Sequence, residues 1–157
     1  MSQSCAGSSS AETTCHETRV QSGMCPACGA KGAPVSIQTV QALAAISLRC
    51  LPSTSYQFCH TPHCPVVYYC TDNAQTLTVD QVRERVYQKE TGQPDVFICY
   101  CFRYRASDLQ RATVAENEAI IADIRAGIAA GQCACELRNP QGSCCLGNVY
   151  RALRDQG

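Results

Sequence analysis

Cysteines in this chain come in tight groups: Cys25-Pro-Ala-Cys28, Cys59-x4-Cys64, Cys99-Tyr-Cys101, Cys133-Ala-Cys135 and Cys144-Cys145. No other feature constrains the fold as much. A disulfide joins residues whose Cα atoms lie about 4.4–6.8 Å apart, and its two partners are usually distant in sequence. A metal centre instead draws several thiolates onto one point, and short-range pairs deliver two of them from a single loop. Cys-x-Cys and Cys-Cys are too tight for easy internal disulfides, so ligation is the expected use of these groups.

Composition sets the frame. A chain of 157 residues has room for one or two small domains. Trp is absent and aromatics make up 6 %, so two separate cores are each thin and call for metals or disulfides as staples. Fourteen cysteines also suit a secreted disulfide scaffold, but Met1 to Thr18 is polar, with no basic start and no apolar run of signal-peptide length. No run of about 18 apolar residues occurs, so no membrane insertion is expected. The expected compartment is the reducing cytoplasm, where clustered cysteines bind metal. Acidic and basic residues balance at 13 each, which gives no basic surface for nucleic acid. Arg103 and Arg105 beside Tyr104 read as a solvated turn next to a metal loop.

Along the chain, residues 1–23 are rich in Ser, Thr, Gln and Glu and read as a flexible tail. The tail carries Cys5 and the pair Cys15-His16, either an accessory soft-metal site or incidental thiols. Residues 24–91 read as one module. A turn at Cys25-Pro-Ala-Cys28-Gly29 precedes a short strand over Pro34–Thr39 and a helix over Thr39–Leu48 with Val40, Leu43 and Ile46 inward. Tyr56–Phe58 and Val66–Tyr69 read as the arms of a hairpin whose knuckle holds Cys59 and Cys64, and Thr76–Val86 reads as either strand or helix. Gly92-Gln-Pro94 marks a boundary, and residues 92–157 form the second module. There a strand enters Cys99-Tyr-Cys101, Ser107-Asp108 caps a short helix, and Ile120, Ile121, Ile124 and Ile128 stripe a helix over Glu116–Ala130 that ends at Gly131. A final helix starts at Cys144-Cys145. No P-loop, dinucleotide glycine pattern or nucleophile–base pair is present, so a metal-binding or electron-carrying role is expected rather than catalysis.

Two constellations carry the chemistry. Cys25, Cys28, Cys59 and Cys64 supply four thiolates from two knuckles about thirty residues apart, the pattern of a closed tetrahedral Zn²⁺ site with sulfurs about 2.3 Å from the metal. His60 or His63 replacing one thiolate, or a thioredoxin-like Cys-x-x-Cys, is the alternative. Cys99, Cys101, Cys133, Cys135, Cys144 and Cys145 crowd the second module. A [2Fe–2S] cluster needs two pairs of thiolates, one for each iron, and the final helix turns its positive end toward them. A second zinc site or a thiol–disulfide relay is the competing reading. Cys50 and Cys70 sit in apolar stretches and are expected to be buried small hydrophobes.

These motifs resemble a known family. Cys-Tyr-Cys-Phe at 99–102, Cys-Ala-Cys-Glu at 133–136, Asn-Pro-x-Gly at 139–142 and Cys-Cys-Leu-Gly at 144–147 are similar to the N-terminal domain of CopZ copper chaperones, as are Cys-Pro-x-Cys-Gly at 25–29 and Cys-x4-Cys-x-Val-Val-Tyr from Cys59. The resemblance covers Met24 to about Leu153. It implies a zinc module followed by a [2Fe–2S] module similar to bacterioferritin-associated ferredoxin. It further implies Cys99, Cys101, Cys135 and Cys145 as cluster ligands and Cys25, Cys28, Cys59 and Cys64 as zinc ligands. Cys133 and Cys144 remain as neighbours and candidate accessory thiols, alongside Cys5, Cys15 and His16. Full-length family members continue into a heavy-metal domain carrying Met-x-Cys-x-x-Cys, a motif this sequence does not contain.

The expected fold class is α+β: a small zinc-binding β-hairpin module, treble-clef-like or ribbon-like, followed by a helical [2Fe–2S] module. The expected function is one-electron transfer or redox work in copper handling, reducing Cu²⁺ to Cu⁺ or chaperoning Cu⁺. Its partners would be copper ions, a separate copper chaperone or transport ATPase, and an electron donor. The alternatives are a zinc-only structural module and a thiol buffer for copper or mercury.

Overall fold

The computed structural model describes residues 23–51 and 55–156. Cys5, Cys15 and His16 lie outside the described residues.

The first half is built on a four-stranded antiparallel sheet in sequential order: β1 (Ala33–Val35), β2 (Tyr56–Phe58), β3 (Val66–Cys70) and β4 (Thr76–Thr78). β2, β3 and β4 follow one another across short connections, while a helix and a 3-10 turn lie between β1 and β2. β3 is buried along its whole length. A register shift between Val66 and Tyr68 breaks strict alternation, so Val66 and Tyr69 face the knuckle cysteines while Val67, Tyr68 and Cys70 enter the main core. The strand expected over Pro34–Thr39 is shorter than the sequence suggests. Ser36 accepts from Thr39 N (3.2 Å) and caps α1 (Ile37–Leu43), which starts within the expected strand. That helix stops at Ala44, which turns extended and bridges to Val82, so the expected extension to Leu48 does not form. The ambiguous stretch after Gln75 resolves into β4 and one 3-10 turn over Val79–Gln81.

The second half begins with a hairpin of β5 (Phe97–Cys99) and β6 (Tyr104–Arg105), whose connecting loop carries Tyr100, Cys101, Phe102 and Arg103. Helices follow: α2 (Ala106–Arg111), α3 (Val114–Ala129), α4 (Cys135–Arg138) and α5 (Leu146–Arg154). α2 starts two to three residues earlier than the Ser107-Asp108 cap suggests. Arg105 takes the capping position, and Asp108 reaches back to accept from its backbone N (2.7 Å). Ile98, Leu109, Ile124 and Val149 close a second core. Arg103 and Arg105 stack over the Phe97 ring, with guanidinium carbons 4.3 and 4.9 Å from its centroid.

The halves press on each other through the Asn139-Pro-Gln-Gly142 turn. Buried Tyr68 donates its hydroxyl to Pro140 O (2.6 Å). Gly142, at φ 68°, lies so close to the first half that a Cβ there would sit 2.8 Å from Val35 Cγ2. Among the described residues no helix is long and apolar enough to cross a membrane.

Candidate metal centres

Local backbone geometry shapes the first knuckle. Gly29 adopts φ 71° and returns its N–H to Cys25 O (2.8 Å), while Cys25 N donates to Ala30 O (2.8 Å). Tyr69 then ties this loop to the sheet. Its hydroxyl accepts from Gly32 N (2.8 Å) and donates to Gly23 O (2.9 Å). The second knuckle connects β2 to β3. Cys59 N donates to Val67 O (2.9 Å), and His63 takes a left-handed turn at φ 58° just before Cys64.

The two loops bring four sulfurs together. Cys25 and Cys64 Sγ lie 3.9 Å apart, Cys28 and Cys59 Sγ lie 3.7 Å apart, and all four fall within 4.8 Å of one another. Metal–sulfur bonds near 2.3 Å in a tetrahedron require sulfur–sulfur edges of about 3.8 Å. The donor set and spacing therefore fit zinc with little rearrangement. No histidine joins the group. His60 and His63 are exposed beside it. Cys25, Cys59 and Cys64 are buried, and Cys28 faces solvent. Burial pushes the Cys25 thiol up to about 12, and it also raises Cys64. Burial opposes the shift at Cys28, but the Thr61 hydroxyl, the Ala30 backbone and the neighbouring thiols outweigh it and lower that thiol to about 6. A crowd of thiols that holds its protons when alone ionises fully only against a cation, which is how metal binding couples to proton release.

The second set is arranged differently. Cys101 and Cys135 Sγ are 3.7 Å apart, Cys135 contacts Cys145, and Cys145 contacts Cys99. These approaches join the Cys99-x-Cys101 loop to Cys135 and Cys145. Cys99 and Cys145 are buried, and Cys101 and Cys135 half-buried. Hydrogen bonding to Cys145 draws Cys99 down to about 7 and Cys135 down to about 6. The same bonds drive Cys145 upward, and burial lifts Cys101 to about 11. Ala134 N donates to Cys101 Sγ (3.3 Å), an N–H aimed at sulfur of the kind that favours a thiolate.

Cys133 is half-buried and touches Cys135, while Cys144 is exposed just before Cys145, the residue that caps α5. Cys70 is buried as expected, but Cys50 is exposed: the 3-10 turn over Leu48–Cys50 ends α1's exit path at the surface instead of burying its thiol. Sequence reasoning missed Thr61, Lys89 and Gln141. Thr61 Oγ1 accepts from Cys28 Sγ (3.2 Å), Lys89 Nζ donates to Thr61 O (3.0 Å), and Gln141 Nε2 donates to Cys144 O (3.0 Å). Thr61 lies inside the knuckle spacing and was legible as a neighbour. The other two have no sequence signal.

Comparison with known proteins agrees with this geometry. A family model described as a zinc binding domain, zf_CopZ, matches residues 22–83. The X-ray structure of the Archaeoglobus fulgidus CopZ N-terminal domain is similar to this chain at 26 % identity and a TM-score of 0.61, covering 82 % of this chain and 95 % of that one. Residues 22–83 thus match the zinc-binding family model, and the chain as a whole is similar to the CopZ N-terminal domain. The matched segment is a zinc-binding domain with a four-cysteine cluster, set in a small mixed α/β fold with an antiparallel sheet. The structural likeness extends past residues 83 into the half that holds the second set of thiols. No curated protein matches the chain.

Proposed function

We propose that this chain is a metal-homeostasis protein with two resident centres: a structural Zn²⁺ on Cys25, Cys28, Cys59 and Cys64, and a [2Fe–2S] cluster on Cys99, Cys101, Cys135 and Cys145. The contrast between the two thiol sets carries this reading. The first four sulfurs converge within 4.8 Å, as one ion requires, and among the described residues no other group does so. The second set forms two close pairs, Cys101 with Cys135 and Cys99 with Cys145, joined through Cys135 and Cys145. Two irons require two pairs.

A bound [2Fe–2S] cluster supplies one-electron chemistry. The chain's own residues supply the setting: Cys99 and Cys145 lie in the dry core, and the Ala134 N–H points at Cys101. Cys144 and Cys133 flank this set as accessory thiols, and soft thiolates hold Cu⁺. The role is therefore electron supply for making Cu⁺ from Cu²⁺, or carriage of Cu⁺. The partners are copper ions, a separate copper chaperone or transport ATPase, and an electron donor, all in the reducing cytoplasm. The zinc module spans residues 24–91 and the cluster module residues 92–157, behind a tail over residues 1–23.

Metal and acid-labile sulfide analysis of anaerobically purified protein tests the proposal. Expected are about one zinc, two irons and two sulfides per chain, with a red-brown visible spectrum. Zinc in both sites without sulfide replaces this reading with a zinc-only module. Soft metal bound beyond two sites replaces it with a thiol buffer.

A further inference from the structure

Lys89 is 4 % exposed. It sits in the turn after Val86, where its backbone N donates to Val86 O (2.9 Å). An ammonium taken out of water needs an opposite charge, and leaving it unpaired is destabilising. Among the described residues no carboxylate meets it, since both ion pairs belong to Arg85. The Lys89 ammonium donates instead to a neutral acceptor, Thr61 O, at 3.0 Å.

Thr61 is the residue that makes this placement intelligible. It lies between Cys59 and Cys64, and its side-chain oxygen is 3.2 Å from Cys28 Sγ. The buried cation is thus held against the backbone of one knuckle, at a residue whose side chain touches a thiol of the other. Four thiolates outweigh one divalent ion, so zinc held by four cysteines leaves a net negative charge. Three of the four cysteines are buried, so water screens that charge poorly. The exposed Arg151 on α5 also acts on the knuckle at His60, after Lys89. Of these two cations, Lys89 is the buried one.

We propose that Lys89 is the counter-cation of the metal-loaded four-cysteine centre. Its ammonium offsets the excess negative charge through the Thr61 segment, and the loaded centre is the partner that its burial otherwise lacks. This rests on the reading of Cys25, Cys28, Cys59 and Cys64 as a zinc site. Lys89 lies beyond residues 22–83, so the charge comes from the segment leading into the second half of the chain. Lys89→Met then acts in opposite directions. It removes an unpaired buried charge from the metal-free protein and a paired one from the loaded protein.

The test measures zinc affinity of the full chain by competition with a chromophoric chelator, and Co²⁺ binding through its thiolate charge-transfer bands, in wild type, Lys89→Met, Lys89→Gln and Lys89→Arg. Expected is about 10–100-fold weaker zinc binding in the Met and Gln variants, the usual size of a loss just outside the ligands, with near-wild-type binding in the Arg variant. The Co²⁺ bands keep their positions, because the ligands are unchanged. Gln retains a donor to Thr61 O without the charge, so wild-type affinity in Lys89→Gln overturns the proposal even where Lys89→Met fails to fold. Equal loss of thermal stability with and without zinc also overturns it, since that is what packing alone would give. Absence of zinc binding or of thiolate bands in the wild type removes the zinc site itself, a result distinct from either.

Discussion

Cys59 joins the sheet to the first centre. Its sulfur lies 3.7 Å from Cys28, and its backbone N is already committed to Val67 O, so the thiol cannot be relocated without disturbing β3. Cys59→Ser is therefore expected to release zinc and lower the melting temperature, because ligation and folding are coupled in small closed sites. Zinc content and thermal melts check this, and the exposed Cys50 is the control: Cys50→Ser should stay within about 0.5 kcal/mol of wild type. A variant at Cys59 that keeps its zinc and melts normally would show the ligand assignment to be wrong. Gly127 is the less obvious residue. A Cβ at this position in α3 would lie 2.2 Å from Phe102 Cζ, and Phe102 directly follows Cys101. Gly127→Ala should cost about 1–3 kcal/mol by overpacking and shift the loop that carries Cys99 and Cys101. The knuckle cysteines were legible in the sequence because ligation demands local spacing. Gly127 and Lys89 were not, because what they touch is set by how distant segments pack.

At the scale of elements, α3 is held by a narrow apolar stripe and by an N-terminal cap. Of the four isoleucines that mark it in the sequence, Ile124 is fully buried, while Ile120, Ile121 and Ile128 are only partly covered. Thr113 closes a capping box. Glu116 N donates to Thr113 Oγ1 (3.3 Å), and Glu116 Oε2 accepts from Thr113 N (2.7 Å). Thr113→Ala should destabilise the protein by about 1 kcal/mol, read from denaturant midpoints. The Thr113 N–H and the Thr113 hydroxyl (2.9 Å) both donate to Glu116 Oε2 and hold this carboxyl below its ordinary value of 4.5, the backbone bond first and the hydroxyl second. A carboxyl lowered on folding stabilises the native state above its unfolded pKa, and that contribution is lost as pH falls through the folded value. The stability difference between wild type and Glu116→Gln should therefore be present at neutral pH and shrink below pH 4.5. A difference that persists undiminished in acid would remove the cap from the account. Element type was readable for most of the chain, since the apolar periods of β2, β3, α3 and α5 are local properties. Starts were displaced where a side chain competed for the backbone, as Ser36 does at α1 and Asp108 at α2.

On the scale of the whole molecule, the two cysteine sets are held by one continuous structure. Residues 139–142 connect α4, which begins at Cys135, to the Cys144-Cys145 step, and this turn is gripped from the first half. Gln88, buried in the segment after the sheet, donates to Gln141 Oε1, and Gln141 in turn donates to Cys144 O (3.0 Å). Tyr68 adds a buried contact, from β3 to Pro140 O at 2.6 Å. Tyr68→Phe keeps the ring and its packing but strands a buried carbonyl, a change that should cost about 1–3 kcal/mol. Because the stranded carbonyl belongs to the turn, the loss should also appear locally, as faster alkylation of Cys145, which is buried in the wild type. The experiment is a denaturant melt of the metal-loaded protein together with peptide mapping after a short alkylation pulse. A lowered midpoint with Cys145 still protected would make Tyr68 a core residue like any other. An unchanged midpoint would mean that the Pro140 carbonyl finds another donor, and that the first half does not position the second set of thiols through this contact.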